Sequence, residues 1–242
     1  MQKSLIIVCN GGSLKGFDWA SIDRNKYDVM ITSLSFRYFN KIKFNADLYI
    51  NVDKVCLKMV ENNLCSLIKR DSMVRVCISG EVCYTNDVIK TIKKRQHKVD
   101  ILENMIEDEK LPFYQFKHIT TGASAILYGM TLGYKDIKII GLDNDYVECI
   151  IESVDIGEGR RVITSDVKNN PNYFFNGYQR EGDVYNQPNN IPNLHSHAIK
   201  EVMDKKLLME DKYQVKINIT NYNDKESVRE FINTKPLNEL FI

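Results

Sequence analysis

The chain has 242 residues, which is enough for one α/β domain or two small ones. Hydrophobic residues make up 43% and charged residues 27%, as is ordinary for a globular protein, and the net charge of +1 gives no field that would steer the chain to nucleic acid. No run approaches about 18 apolar residues, so we expect no membrane span, and the six cysteines form no C-x-x-C pair that would predict a zinc or redox site.

The chain opens on an apolar run that breaks into a glycine-rich turn. Ser4–Cys9 predicts a buried strand, and Asn10-Gly11-Gly12-Ser13 predicts a turn into a helix that Ser13 caps. The two glycines would let the backbone approach a ligand or take a positive φ. The free N–H groups of a helix start favour an anion, so we expect a phosphate here, and a tight turn without a ligand is the alternative.

Short apolar runs then alternate with helix-like stretches. The further predicted strands are Asp28–Thr32, Asp47–Asn51, Val74–Ile78, Lys138–Gly141 and Gln214–Ile219, and the predicted helices are Val55–Leu67, Asn86–Arg95, Thr121–Gly133 and His197–Glu210. The stretch His97–Glu109 fits a short strand followed by a helix. The alternation predicts an α/β fold with a Rossmann-like, mostly parallel sheet and helices on both faces.

A second turn of small residues precedes the helix Thr121–Gly133. Thr120 or Thr121 can cap this helix, and Gly122 allows the close approach of backbone or ligand. Gly133 is a candidate C′ glycine at its end. The turn is therefore a second candidate ligand-binding segment.

The strand that follows this helix ends at Gly141-Leu142-Asp143, and Asp145 lies two residues further on. Ligands of open parallel sheets bind at the C-terminal ends of the strands. Asp143 and Asp145 could hold a divalent metal on a nucleotide diphosphate, or Asp143 alone could accept hydrogen bonds from ribose hydroxyls or a base. A cap after the strand is the alternative.

The stretch Ser153–Pro192 is rich in proline, asparagine, glycine and aromatic residues. A turn-rich segment of this length is unusual inside a compact domain, and its aromatic content argues against disorder. We expect a lid that orders over a ligand, and a surface excursion is the alternative. Its tyrosines are Tyr173, Tyr178 and Tyr185, with Tyr146 shortly before it.

Two histidines follow this segment and open the predicted helix. A histidine at the edge of a cleft titrates near working pH, so His195 suits a general base. Side chains at i and i+2 of a helix point in different directions, so His195 and His197 are not expected to share a metal. The alternative is that one or both histidines only begin the helix and face solvent.

Three segments together resemble the bacterial sialyltransferases of glycosyltransferase family 42, which use CMP-activated nonulosonic acids to build lipooligosaccharide and capsule ends. Asn10–Lys15 looks like that family's N-G-x-S-L-K motif. Ile119–Gly122, Leu132–Ile137 and Gly141–Asp143 are similar in order and spacing to its I-T-S-G, L-G-Y-K-x-I and G-I-D motifs. His195-Ser196 is similar to its H-S pair, and Asn51 matches a strand-ending asparagine.

The resemblance implies a single GT-A-like domain over residues 1–242, with a lid at about 146–194, that needs no metal or cofactor. Such an enzyme transfers sialic acid or a related nonulosonic acid from a CMP donor to a hydroxyl of a cell-surface glycan, with inversion. By this likeness the donor-binding residues would be Asn10, Gly11, Gly12, Ser13, Ser33, Asn51, Thr120, Thr121, Gly122, Gly141 and Asp143. His195 would be the general base, and the hydroxyls of Tyr146, Tyr173, Tyr178 or Tyr185 would bind the departing phosphate.

The chain departs from the family's pattern at four points. Ser33 stands where the family has an asparagine, His118 where it has an arginine, and Asp145 where it has a phosphate-binding tyrosine. The family's second phosphate-binding tyrosine has no tyrosine as its counterpart by direct count, so Tyr173, Tyr178 or Tyr185 would take over its role. These departures keep two alternatives open, a metal-dependent nucleotide-diphosphate or pyrophosphoryl transferase and a non-catalytic nucleotide-binding partner of a glycan pathway. We expect a protein of the cytoplasm with a nucleotide-sugar donor and a glycan acceptor, while association with the inner membrane face and homo-oligomerisation stay open.

Overall fold

A parallel β-sheet of eight strands forms the centre of the computed structural model, which describes residues 3–102, 120–144, 146, 150–187, 194–224 and 231–241. Its strands, in chain order, are β1 Ser4–Val8, β2 Tyr27–Thr32, β3 Leu48–Asn51, β4 Arg75–Ile78, β5 Val99–Ile101, β6 Asp136–Ile140, β10 Asn218–Tyr222 and β11 Asn233–Lys235. Three further strands, β7 Ser153–Gly157, β8 Arg160–Ile163 and β9 Val184–Asn186, form a separate small sheet. The order across the sheet is β11-β10-β6-β1-β2-β3-β4-β5, and every neighbouring pair is parallel. The predicted Rossmann-like α/β fold is confirmed.

Helices cover both faces of this sheet. They are α1 Phe36–Lys41, α2 Lys54–Met59, α3 Glu61–Lys69, α4 Asn86–Lys94, α5 Thr121–Thr131 and α6 Leu194–Tyr213. Ile6 and Val8 of β1 pack in the core on the side of α1 to α4, whereas Leu5 and Ile7 pack with α5 and α6. A strand buried on both faces carries apolar residues at successive positions, which is why β1 has an uninterrupted apolar sequence.

Two predicted elements differ in their boundaries. The helix predicted at Val55–Leu67 is broken at Val60 into α2 and α3. The last predicted strand, Gln214–Ile219, is displaced, because α6 continues to Tyr213 and Gln214 then takes a left-handed conformation with φ of 50°. The strand part of His97–Glu109 is confirmed as β5, and residues 103–109 lie outside the described residues.

The helix predicted directly after β1 is wrong. A short 3₁₀ turn, Gly12–Leu14, follows the strand, and its N-cap residue is Gly11, not Ser13. The first α-helix, α1, comes only after β2. No helix dipole therefore stands behind the glycine turn, and the phosphate expected there has lost the physical basis on which it was predicted.

The chain order of the strands creates a crevice between β1 and β6. From β1 the chain adds strands on one side as far as β5, and it then returns to place β6 on the other side of β1. The loops that leave the C-terminal ends of β1 and β6 diverge to opposite sides at such a switch point, and ligands of doubly wound sheets bind there.

The segment predicted as a lid loop contains regular structure. Ser153–Gly157, Arg160–Ile163 and Val184–Asn186 form β7, β8 and β9 of a three-stranded antiparallel sheet. We call residues 150–187 the insertion. The turn-rich composition of this stretch concealed its strands, since they are short and largely exposed.

The loop between β8 and β9 brings aromatic residues back to the main core. The ring of Phe174 lies 5.4 Å from Trp19 and 5.1 Å from Tyr38, measured between ring centroids. Arg37 of α1 forms a nearly buried, two-pronged ion pair with Asp183 and donates to the carbonyl of Tyr178 at 2.6 Å. These contacts make the insertion a packed part of the domain.

None of the helices in the described parts of the chain combines the length and the apolar character that a membrane crossing requires.

Candidate functional site

A cavity of about 450 Å³ opens at the C-terminal ends of β1, β2 and β6, where the strand order predicts a ligand. Its walls come from the strand ends, from the start of α5, from the start of α6 and from the insertion. The predicted site residues that line it are Asn10, Ser33, Thr120, Thr121, Gly122, Gly141, Asp143, Tyr146, Tyr173, Tyr178 and His195. The volume suits a nucleotide-sized ligand.

Asp143 holds the glycine turn in place through hydrogen bonds to Ser13. Its buried carboxylate accepts from the backbone N–H of Ser13 at 2.9 Å, from the Ser13 hydroxyl at 2.5 Å and from Asn223 Nδ2 at 3.0 Å. The Ser13 hydroxyl was predicted to cap a helix, and its N–H to bind a ligand anion. Both groups instead donate to the Asp143 carboxylate. Asp143 joins the loops after β1 and β6 and the end of β10 at the floor of the cavity.

The absence of a side chain at Gly11 lets the backbone of the glycine turn lie close to the Asp143 carboxylate. Its N–H donates to the carbonyl of Gly141 at 2.8 Å, and its φ of −64° is open to any residue. A Cβ atom at Gly11 would overlap the carboxyl group of Asp143. The glycine therefore serves packing, and the positive φ predicted as an option for Gly11 and Gly12 occurs instead at Gly141, where φ is 71°.

Replacing Gly11 by alanine should destabilise the fold by about 1–3 kcal/mol, because the new methyl group must displace a buried, hydrogen-bonded carboxylate. Urea denaturation measures the change. Gly12→Ala is the matched control, since its Cβ would meet only the carbonyl of Pro171 at 3.3 Å, and it should cost clearly less. Equal losses in the two variants would contradict the anchoring role of Asp143.

The start of α5 forms a second wall. Thr120 caps the helix by accepting from the N–H of Ala123 at 3.3 Å, as predicted, and Gly133 follows its C-terminus with φ of 89°. Gly122 packs against Leu142, with 3.2 Å between an added Cβ and the leucine Cδ1. The N-terminus of this helix is directed at the cavity and favours a negatively charged ligand group.

Two tyrosines of the insertion stack on each other in the cavity wall. The rings of Tyr173 and Tyr178 lie 3.6 Å apart and nearly parallel, and Tyr173 forms an isolated β-bridge to Gly11. Burial raises the pKa of both hydroxyls well above the ordinary value for tyrosine. The hydroxyls therefore stay protonated at any working pH and can donate to a ligand anion.

His195 lies at the start of α6, half-buried, beside Tyr146. The two ring centroids are 5.1 Å apart. Burial lowers the pKa of His195 below the usual 6.5, and burial, with Cys9 and Asp143 nearby, raises that of Tyr146. The cavity thus offers a neutral imidazole that can accept a proton and, next to it, a protonated hydroxyl that can donate.

Several predicted site residues lie away from the cavity surface. Asn51 is fully buried, with its amide bonded to the Cys56 sulfur at 3.0 Å and to the N–H of Asp53 at 3.1 Å. Tyr185 lies in β9, where its hydroxyl is 3.0 Å from that of Ser153, and it does not line the cavity. The cavity lining includes Asn10 but not Gly11, Gly12 or Ser13. His118 and Asp145 lie outside the described residues.

The cavity also contains residues that the sequence analysis missed, namely Lys54, Arg160, Asn186 and Asn144. Lys54 belongs to α2, and Arg160 and Asn186 belong to the insertion. No local sequence pattern distinguishes these three from surface residues. Asn144 directly follows Asp143 and has φ of 51°, a left-handed conformation that asparagine tolerates better than most residues. The side chains of Lys54 and Arg160 are paired with Glu81 and Glu158 at the protein surface.

Within the described ranges, no three His, Cys, Asp or Glu side chains are grouped as metal ligands would be. A scan of protein-family models, a search of curated proteins and a search of solved structures each found no match to this chain.

Proposed function

We propose that this chain is an inverting glycosyltransferase that moves sialic acid or a related nonulosonic acid from a CMP-activated donor to a hydroxyl of a cell-surface glycan, without a metal. One observation carries the proposal: a neutral imidazole, His195, shares one cavity at the sheet's switch point with the protonated hydroxyls of Tyr173 and Tyr178. The resemblance of three sequence segments to glycosyltransferase family 42 supports the identity of the donor.

In this proposal His195 acts as general base. The acceptor hydroxyl attacks the anomeric carbon of the donor and loses its proton to the imidazole, while the bond from that carbon to the phosphate breaks. A desolvated imidazole with a lowered pKa is unprotonated at neutral pH, so it can accept that proton without first losing one.

The tyrosines act on the leaving group. Negative charge grows on the CMP phosphate as the bond breaks, and hydroxyl donors that are already in place stabilise it. Tyr173 and Tyr178 on the insertion, and Tyr146 next to His195, are the candidates for these donors. The N-terminus of α5, which also lines the cavity, favours the same charge.

We expect CMP to raise the melting temperature of the purified chain, equally with and without EDTA. A ligand that binds only the folded state stabilises it by about 2.7 kcal/mol at a hundred times its dissociation constant. CDP, UDP and GDP, each with and without Mg²⁺ or Mn²⁺, complete the panel. Stabilisation by a diphosphate only when a metal is present would contradict the proposal and favour the metal-dependent alternative.

Binding alone does not separate an enzyme from a nucleotide-binding partner. A CMP-nonulosonate incubated with the chain and no acceptor should be hydrolysed slowly, because water can replace the acceptor hydroxyl. Stable binding of CMP with neither transfer nor hydrolysis would favour the non-catalytic alternative.

A further inference from the structure

The described cavity wall carries two cationic side chains that have no role in the proposed chemistry, Lys54 and Arg160. Lys54 is the first residue of α2, and Arg160 is the first residue of β8 in the insertion. Lys54 pairs with Glu81, and these side chains are 58% and 54% exposed. Arg160 lies 3.5 Å from Glu158, which is 81% exposed. Pairs as exposed as these contribute little to stability, so both cations are available to an anion in the cavity.

The two cations belong to elements that meet at one side of the cavity. Arg160 and Asn186 are cross-strand partners in β8 and β9, so their side chains share one face of the small sheet. Asn186 also lines the cavity, and its Nδ2 lies 3.5 Å from the carboxylate of Asp53. Asp53 directly precedes Lys54 and caps α2. The contact between Asn186 and Asp53 therefore brings the start of α2 next to the end of the sheet that carries Arg160.

This side of the cavity adjoins the stacked tyrosines. The pKa of the Tyr173 hydroxyl is raised by burial and, after that, by neighbouring groups that include the Asp53 carboxylate, which therefore lies near it. Tyr173 and Tyr178 are the residues to which the proposed function assigns the departing phosphate. The two cations accordingly lie beside the position of that phosphate.

A CMP-activated nonulosonic acid carries two separate negative charges, one on the phosphodiester and one on the sugar carboxylate. The tyrosine hydroxyls and the N-terminus of α5 are directed to the first of these. The second needs a partner as well, because an anion removed from water is costly unless it is paired. The acids of the described wall, Asp53 and Asp143, already accept hydrogen bonds from the protein, which leaves Lys54 and Arg160 as its charged partners.

We propose that Lys54 and Arg160 bind the carboxylate of the donor sugar and so select an acidic sugar over a neutral one; this inference rests on the proposed function. The carboxylate and the phosphate are both attached to the anomeric carbon, so a site for one must adjoin a site for the other, as these two parts of the wall do. A hydrogen bond between two charged groups is stronger than one between neutral groups. Neither residue belongs to the motifs that resemble glycosyltransferase family 42.

The double variant Lys54→Gln/Arg160→Gln removes both charges and keeps polar side chains. Because the ion pairs that it breaks are exposed, its melting temperature should stay close to that of the unmodified chain. The probe is a CMP-sialic acid with a fluorine next to the anomeric carbon, which slows cleavage. Titration calorimetry should show the variant binding this fluoro donor about tenfold more weakly. Its affinity for CMP, which lacks the sugar, should change less than about twofold at physiological salt.

The methyl ester of the fluoro donor identifies the ligand group, since it has the same sugar without the carboxylate charge. It should bind the unmodified chain about tenfold more weakly than the acid does, and it should bind the double variant with that same reduced affinity. Lys90→Gln/Lys168→Gln is the matched control. It also removes two positive charges, but Lys90 and Lys168 are exposed residues outside the cavity, so affinity for the acid should be unchanged.

Three results would overturn the inference and leave the proposed function standing. An unchanged affinity of the double variant for the acid would remove both residues from the site. Equal losses for the acid and its methyl ester, or for the acid and CMP, would place the cations on another part of the ligand. If the unmodified chain bound neither CMP nor the fluoro donor, or CMP alone, the proposed nonulosonic donor would fall together with this inference.

Discussion

Replacing His195 by alanine should lower the rate of sugar transfer more than about a hundredfold, which is the usual contribution of a general base. The variant removes the only ring in the described cavity wall that can accept a proton at neutral pH, because the tyrosine hydroxyls there stay protonated. Turnover with a CMP-nonulosonate donor and a glycan acceptor measures the effect. CMP affinity should change little, since the imidazole acts on the acceptor.

His197→Ala is the control for this experiment. His197 lies two residues further along α6, is exposed and does not line the cavity. Its loss should leave turnover within about twofold of the unmodified chain, as expected for a surface position away from the reacting groups. Equal rates in the His195 variant and the unmodified chain would remove the general-base assignment.

The pH dependence of kcat/KM is a second test of His195 as the general base. Burial disfavours the imidazolium, so the pKa of His195 lies below 6.5, and the active neutral form persists as the pH falls through 6.5. The acid limb of kcat/KM should therefore lie below pH 6.5 and reflect the free enzyme. An acid limb above 6.5 would contradict a desolvated histidine as the base.

Arg37→Met should cost about 3–5 kcal/mol of folding stability, the usual result of breaking a buried ion pair from one side. The side chains of Arg37 and Asp183 are only 10% and 9% exposed, and methionine would leave the Asp183 carboxylate buried without its two-pronged partner. The carbonyl of Tyr178 would lose its donor as well. Urea denaturation gives the change in unfolding free energy.

This ion pair also connects stability to the site. Arg37 ties the segment that carries Tyr178 to α1, so the variant should bind CMP more weakly even at temperatures where it is folded. Lys26→Met is the matched control, because the Lys26–Asp23 pair is 73% and 41% exposed and should contribute less than about 1 kcal/mol. Similar small losses in both variants would mean that other contacts hold the insertion.

The strands at the centre of the sheet could be predicted because each is an apolar run of its own. Predictions for β1 to β4 and β6 correspond to observed strands, and α4, α5 and the central part of α6 correspond to predicted helices. The strands of the insertion and β11 were missed, because short, exposed strands carry no apolar pattern. Ile219 was included in a predicted strand, but the polar residues after it concealed where β10 lies.

The candidate site was predictable in its location and only partly in its roles. The cavity is surrounded by three predicted features: a glycine turn after β1, a capped helix at Thr120 and a carboxylate after β6. They lie together because parallel strands bring their C-terminal ends to the same edge of the sheet. The predicted cap role of Ser13 was wrong, because its hydroxyl and its backbone N–H both donate to Asp143, which is 130 residues away in the sequence. A local pattern contains no information about such a partner.

The sequence by itself therefore determined the fold class, the position of the crevice and the residues at its edge, because buried apolar runs and caps are local properties of the chain. Only the tertiary structure decided that Gly11 makes room for a carboxylate, that Tyr185 lies away from the cavity and that the Asn10 amide nitrogen donates to the Thr32 hydroxyl. Each of these depends on contacts between residues that are far apart in the sequence, and such contacts form only when the segments pack together.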